Sequence, residues 1–384
     1  MFLVLGAGTQ GSAAAYDLLR AAGGHEVTIA DLDVGGLHPA LTPHLGGRLR
    51  TVVLDARSDS EVLAAMEGAD GVLSALPYYL NAEMARLALD SGCHFTDLGG
   101  NTAVVAEQQR LDARARGLGL SIVPDVGLAP GMVNVLAQGG IDRLDSTESV
   151  RIWVGGLPQH PKPPLNYQIV YSLEGMLDYY VTPSEILRGG RRVTVEALSG
   201  LETVEFPPPI GPLEAFYTAG GVSTLPVRYE GRIDTLAYKT LRYPGHACAM
   251  RTIRDLGLLS DQETDYNGTP VNPRRFFIQQ VTPHLTNSDG DDLVVARVEA
   301  TGLLADTPTR IRYDVVDRYD PATGITAMAR TTGFSLAIVA LMQVRGEVAS
   351  AGVGTPDVVI PADAYIGELE RRGISVAQGE EDAG

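Results

Sequence analysis

Gly6-Ala7-Gly8-Thr9-Gln10-Gly11 follows the apolar run Phe2–Leu5 and opens a stretch rich in alanine and leucine. At this spacing the first glycine permits a tight turn after a strand, and the second lets backbone approach a pyrophosphate. The third lets the following helix pack closely on that strand. The helix N-terminus offers free N–H groups and a partial positive charge to the phosphates. Asp31 stands 20 residues after Gly11 with no arginine beside it. A carboxylate there accepts both ribose hydroxyls of NAD and repels a 2′-phosphate. These residues point to a bound dinucleotide, NAD in preference to NADP, held by Gly6, Gly8, Thr9, Gln10, Gly11 and Asp31.

Ligands of parallel sheets sit at the carboxyl ends of the strands. By that rule Asp55 meets the adenine side, Ser74, Ala75 and Pro77 line the cofactor, and Leu98 lies toward the nicotinamide. Asp97 and Asp125 end two further strands at the same place. They are candidates for proton transfer or for holding a substrate ammonium, with helix caps or turn residues as the alternative.

A second group lies in Tyr238-Lys239-Thr240-Leu241-Arg242-Tyr243-Pro244-Gly245-His246. Of 30 basic residues only Lys162 and Lys239 are lysine. Arginine cannot lose its proton in a protein, whereas a desolvated lysine can. Codon bias explains Lys162, in a proline-rich loop; Lys239 lies on a strand among other polar residues. Lys239, Leu241 and Tyr243 share one face of that strand, and Tyr238, Thr240 and Arg242 the other. His246 begins a helix, where its charged form is disfavoured. Surface ion pairing for Lys239 and Arg242, and a capping role for His246, are the alternatives.

The elements that position these residues alternate at first. Strands are predicted at 2–5, 27–30, 51–54, 71–74, 94–96 and 120–123, with helices at 12–22, 61–66, 82–90 and 103–116. This pattern gives parallel βαβ units in a doubly wound dinucleotide-binding sheet. After Pro130 the alternation stops, and strands at 150–154, 191–198, 236–241, 293–299 and 310–316 read as a mixed sheet with helices on one face. Helices are expected there at 173–181, 247–256 and 273–281, and loops at the proline-rich 158–164 and 207–212. The fold class is α/β, a dinucleotide-binding doubly wound parallel sheet plus a second α/β domain with a mixed sheet. Residues 1–129 form the first domain, completed by helices within 331–377; residues 130–330 form the substrate-binding and dimerisation domain. Residues 378–384 are a disordered tail.

The chain has 384 residues and a net charge of -17, which argues against nucleic-acid binding. Cys93 and Cys248 make no disulfide framework, and the seven histidines form no metal-ligating pair. The apolar start carries no basic leader, and the later apolar stretch 334–342 is too short to span a bilayer. A soluble cytoplasmic protein without membrane contact is expected.

Several segments resemble the saccharopine dehydrogenase family, and within it the L-lysine 6-dehydrogenases. They are the Gly6–Gly11 motif, Asp97-Leu98-Gly99-Gly100, Pro124 to Met132, Asn166-Tyr167 with Ser172 to Gly175, Phe216 to Gly221, and Lys239 to His246. The resemblance implies NAD-dependent oxidative deamination of L-lysine at its ε-carbon, giving 2-aminoadipate 6-semialdehyde and ammonia, in a homodimer. Saccharopine-forming relatives are expected to carry an arginine near Tyr217; here the stretch reads Thr218-Ala219-Gly220-Gly221-Val222-Ser223, which favours a smaller, lysine-like amino acid. The roles expected are Arg242 for the substrate carboxylate, and Lys239 or His246 for proton transfer. Asp97 and Asp125 would orient amine and water, with Tyr217, Tyr238 and Thr240 lining the substrate. A saccharopine or related imine reductase, and a non-catalytic NAD-binding sensor, are the competing readings.

Overall fold

The computed structural model describes residues 1–21, 23–286 and 291–383. The last residue of the expected helix at 12–22, Ala22, and the last residue of the tail, Gly384, lie outside them. Strands β1 (Phe2–Leu5), β2 (Val27–Asp31), β3 (Leu49–Val53), β4 (Gly71–Ser74), β5 (His94–Asp97) and β6 (Ser121–Val123) alternate with helices. These are α1 (Thr9–Arg20), α2 (Asp59–Met66), α3 (Asn81–Asp90), and α4 (Thr102–Gln109) with α5 (Asp112–Leu118) where one helix was expected. Every residue of β1 and β4 is buried, as strands covered on both faces must be. All pairings among β1 to β6 are parallel.

α6 (Met132–Asp142) leads into the second region, built on β7 (Ser146–Pro158). There follow α7 (Leu173–Val181), β8 (Ser184–Arg188), β9 (Arg191–Val195), β10 (Glu202–Phe206), β11 (Gly211–Tyr217), α8 (Leu225–Tyr229) and β12 (Thr235–Arg242). Then come α9 (His246–Asp255), the hairpin β13 (Thr264–Tyr266) and β14 (Thr269–Val271), α10 (Pro273–Leu285), β15 (Asp292–Leu304) and β16 (Thr307–Arg318). β12 runs parallel to β7, while the other pairings of this sheet are antiparallel. From Thr309 onward burial alternates along β16, with Thr309, Ile311, Tyr313, Val315 and Asp317 turned inward. The prolines at 207–209 form the turn between β10 and β11, two strands that the sequence did not reveal.

The chain then returns to the first sheet. α11 (Ala327–Ala329), a π-helical turn Arg330–Phe334 and α12 (Ser335–Arg345) make one helical run of 19 residues, long and apolar enough by length and composition to cross a membrane. The expectation of too short a stretch therefore fails. Yet 83% of that run's apolar window is buried, with α12 packed on β4, β5 and α1, so here it is a core helix. β17 (Gly352–Val353) extends the first sheet beyond β6, giving the order β17-β6-β5-β4-β1-β2-β3. After α13 (Pro356–Val359) and α14 (Ala362–Arg371), the expected disordered tail is instead β18 (Val376–Asp382), paired antiparallel with β16. Val376 is buried there, and the exposed edge beside β16 supplies the backbone partners that a free tail lacks.

Candidate active site

The β1–α1 turn has the shape of a pyrophosphate cradle. A Cβ on Gly11 would sit 1.9 Å from the Gly6 carbonyl oxygen, so only glycine lets α1 approach. Gly8 is the opposite case: it is exposed, and nothing lies within 4 Å of where its Cβ would be. Thr9 is exposed beside it, at the first turn of α1. The Asp31 carboxylate accepts hydrogen bonds from Ala7 N at 2.6 Å and Asp33 N at 3.2 Å, which fixes it beside the turn. Asp55 lies two residues past β3 and is bound by Arg57 at 2.8 Å, which holds its carboxyl below the usual range. Ala75 is partly exposed and Pro77 exposed at the end of β4. Ser74 departs from expectation: it is fully buried, and its Oγ donates to Asn81 Oδ1 at 2.7 Å, joining β4 to α3 instead of facing a cofactor.

A cavity of about 360 Å³ opens between the two sheets. From the dinucleotide side come Gln10, Leu98, Gly99 and the Gly127–Pro130 loop; from the second sheet come Val154, Gly156, Tyr238, Thr240 and Arg242. Thr240 Oγ1 is 2.7 Å from Thr218 Oγ1. Arg242 is 3% exposed. Its Nε donates to Tyr180 Oη at 3.1 Å and its Nη1 to Leu241 O at 2.9 Å, while its guanidinium lies 4.9 Å from the Tyr167 ring centre. No carboxylate pairs with it among the described residues. A buried charge without a counter-ion costs several kcal/mol. The cavity thus presents a cation to whatever anion enters.

The other expected residues lie elsewhere. Lys239 alternates with Tyr238 and Thr240 along β12 and so projects from the far face of the sheet. There Nζ donates to Gly200 O at 2.6 Å, pairs with Glu202 at 3.0 Å, and sits 4.8 Å from the Tyr217 ring centre. Tyr217 is its cross-strand neighbour on β11 and shares that face, so neither residue meets the cavity. His246 is buried behind Arg242, with Nε2 2.9 Å from Tyr180 Oη and Nδ1 3.0 Å from Leu165 O. Burial, then the neighbouring Arg242, pull its pKa down to about 3, so it stays neutral and structural.

Asp97 and Asp125 lie behind the cavity wall, not in it. A Cβ on Gly99 would be 1.8 Å from Asp125 Oδ1, so the Leu98–Gly100 lip can rest on that carboxylate only because residue 99 is glycine. Asp125 Oδ1 accepts from Gly100 N at 2.9 Å, and Oδ2 accepts from Ser223 Oγ. Asp97 is wholly buried and accepts from Gln108 Nε2 at 2.6 Å. Burial raises both carboxyls, that of Asp97 to about 7.

Sequence reasoning left Tyr179 and Ser223 off the list of site residues. Ser172, Gly175 and Tyr179 line the cavity, and their spacing marks one face of α7. Ser223 reaches Asp125 only through the fold, across 98 positions of sequence.

The saccharopine dehydrogenase NADP binding domain family matches residues 2–123, and the saccharopine dehydrogenase C-terminal domain family matches residues 127–374. Mitochondrial alpha-aminoadipic semialdehyde synthase of Mus musculus is 23% identical over 368 residues, 78% of this chain and 39% of that protein. Saccharopine dehydrogenase [NADP(+), L-glutamate-forming] of Pyricularia oryzae is 25% identical over 224 residues, 56% of this chain and 49% of that one. The chain thus spans between about two fifths and one half of the length of these relatives. Among solved structures, apo histidine-tagged saccharopine dehydrogenase (L-Glu forming) from Saccharomyces cerevisiae has a TM-score of 0.81 at 18% identity, covering 99% of each chain. Homospermidine synthase of Legionella pneumophila in complex with NAD has a TM-score of 0.71 at 13% identity, covering 100% of this chain and 91% of that one. These two likenesses concern the fold.

Proposed function

The chain belongs to the saccharopine dehydrogenase family, and on that premise we propose that it oxidises a carbon–nitrogen bond of a small amino acid, with L-lysine deaminated at its ε-carbon as the leading reaction. The observation that carries this reading is Arg242, a buried cation without a counter-ion on the cavity wall. A planar guanidinium binds a carboxylate through two parallel hydrogen bonds. With the α-carboxylate held there, the side chain of the substrate extends toward Gln10 and the Leu98–Gly100 lip. When bound, a nicotinamide dinucleotide accepts a hydride from the substrate carbon. The chain's own residues orient the substrate through Arg242, Tyr238 and Thr240, and enclose it between the two sheets. We assign NAD on the strength of Asp31, although the relative from Pyricularia oryzae carries NADP(+) in its name.

A second reading, oxidation of saccharopine, is favoured by the names of the relatives and by the larger hollow that continues from the cavity. Absorbance at 340 nm decides between the two when L-lysine and saccharopine are each supplied with NAD and then with NADP. Reduction with L-lysine and NAD is expected. Activity with saccharopine alone sinks the first reading, and activity with NADP alone sinks the cofactor assignment. Cofactor binding without turnover of either substrate favours the non-catalytic sensor.

A further inference from the structure

We propose that Ser223 is a proton relay between the substrate and Asp125, serving the hydrolysis that releases ammonia. The proposal rests on the deamination reading above. Ser223 lies on the segment between β11 and α8, in a left-handed backbone conformation with φ of 50°. It lines an outer hollow of about 660 Å³, which meets the inner cavity along Gly99, Gly100, Gly175, Tyr179 and Ala219. Its Oγ donates to Asp125 Oδ2. Asp125 thus has a hydroxyl at the solvent side of the wall, while its carboxylate stays buried.

The need for such a route follows from what lines the two hollows. The ionisable groups of the inner cavity are three phenols and Arg242. Burial raises the phenols, Tyr179 to about 12, and arginine does not give up its proton. The outer hollow adds Tyr78, Asp178 and Glu185. Of these, Asp178 is bound by Arg274 at 2.6 Å, and Glu185 lies 3.9 Å from Arg192. Asp125, unlike these two, forms no ion pair among the described residues, and it reaches the open space through the Ser223 hydroxyl. Asp97 from β5 and Asp357 from α13, the latter paired with Arg228 at 2.7 Å, approach it from behind, so a proton arriving there relieves carboxylate repulsion, while the Tyr179 phenol from α7 stays neutral.

In this scheme water adds to the iminium carbon, the C=N electron pair returns to nitrogen, and the excess proton passes through Ser223 to Asp125. The proton then returns to nitrogen by the same path, and the C–N bond breaks to release ammonia. The hydroxyl proton lost as the carbonyl forms goes back to Asp125. No further oxidant or reductant is required.

Rapid mixing of enzyme, NAD and L-lysine tests the relay with Ser223→Ala and Ser223→Asn. Asparagine tolerates the left-handed backbone and keeps a donor for Asp125, yet it lacks a relaying hydroxyl. Both variants are expected to form one equivalent of NADH at the wild-type rate and then to turn over ~100-fold more slowly, the lower end of what a positioned proton-transfer group contributes. A loss shared equally by both phases, or turnover at the wild-type rate, overturns the proposal. Failure of the wild-type enzyme to form NADH from L-lysine overturns the deamination reading instead.

Discussion

Arg242 and Arg372 are both largely buried, and their surroundings differ in one respect. Arg372 binds both oxygens of Asp17 at 2.8 Å and Glu368 at 2.5 Å, behind the dinucleotide sheet. Glu368 also receives Arg345 at 3.1 Å and Arg371 at 2.5 Å. Three helices, α1, α12 and α14, end here in Arg20, Arg345 and Arg371. Their carbonyl ends carry partial negative charge, so arginines gather for structural reasons. Arg242 has phenol and carbonyl partners and no carboxylate. A buried cation with its counter-ion in the protein holds the fold together; one without it is set to hold a ligand.

Exchanging each arginine for methionine tests that distinction. Arg372→Met strands Asp17, 6% exposed, and breaks into the Glu368 cluster. Breaking a buried pair by removing one partner costs ~3–5 kcal/mol, expected as a lower urea midpoint with turnover per folded molecule unchanged. Arg242→Met is expected to leave the midpoint equal or higher, because no counter-ion is stranded. Its kcat/KM for L-lysine should fall ~100–1000-fold, equivalent to ~2.7–4 kcal/mol of lost transition-state binding. The five-carbon diamine without a carboxylate should lose little. If Arg242→Met unfolds the protein while Arg372→Met does not, the roles assigned to the two arginines are reversed.

The first sheet was legible because its signals are local. Phe2–Leu5 is apolar throughout, the glycine spacing follows at once, and Asp31 closes the second strand. Tyr238, Thr240 and Arg242 were legible too, since strand alternation groups them on one face. Alternation does not say which face meets the other sheet, so site roles were expected on both faces of β12; the fold brings only the face of Tyr238, Thr240 and Arg242 to the cavity, and Lys239 and Tyr217 lie on the other. His246 was misjudged because Tyr180 and Leu165, which satisfy it, lie 66 and 81 positions away. β18 was missed because Gln378 to Asp382 is polar, as a strand at a charged sheet edge often is.

Asp97 extends the contrast to carboxylates. Burial raises its pKa from 3.8 to about 7, so the folded state binds a proton that the unfolded state has released. Its contribution to stability is therefore largest below pH 3.8 and is lost as the pH rises toward 7. Between those values one such group lowers the unfolding free energy by at most ~1.4 kcal/mol per pH unit. Urea midpoints of the wild-type protein and of Asp97→Asn, measured from pH 5 to pH 8, should diverge in slope, with the variant flatter. Parallel slopes mean that Asp97 is ionised throughout that range.

The smallest effect is expected at Lys239, one of the two lysines of the chain. It is 8% exposed, yet its charge is answered by Glu202 and by Gly200 O, as that of Arg372 is answered by Asp17 and Glu368. Glu202 is 38% exposed and also accepts from Trp153 Nε1 at 2.8 Å, so removal of the lysine leaves it solvated and bonded. Lys239→Met should therefore lower stability by only ~1 kcal/mol, and leave kcat and its pH profile for L-lysine unchanged. A collapse of turnover without loss of stability would restore Lys239 to the catalytic list. It would also require the far face of β12 to reach substrate, which the alternation of side chains along one strand forbids while Arg242 lines the cavity.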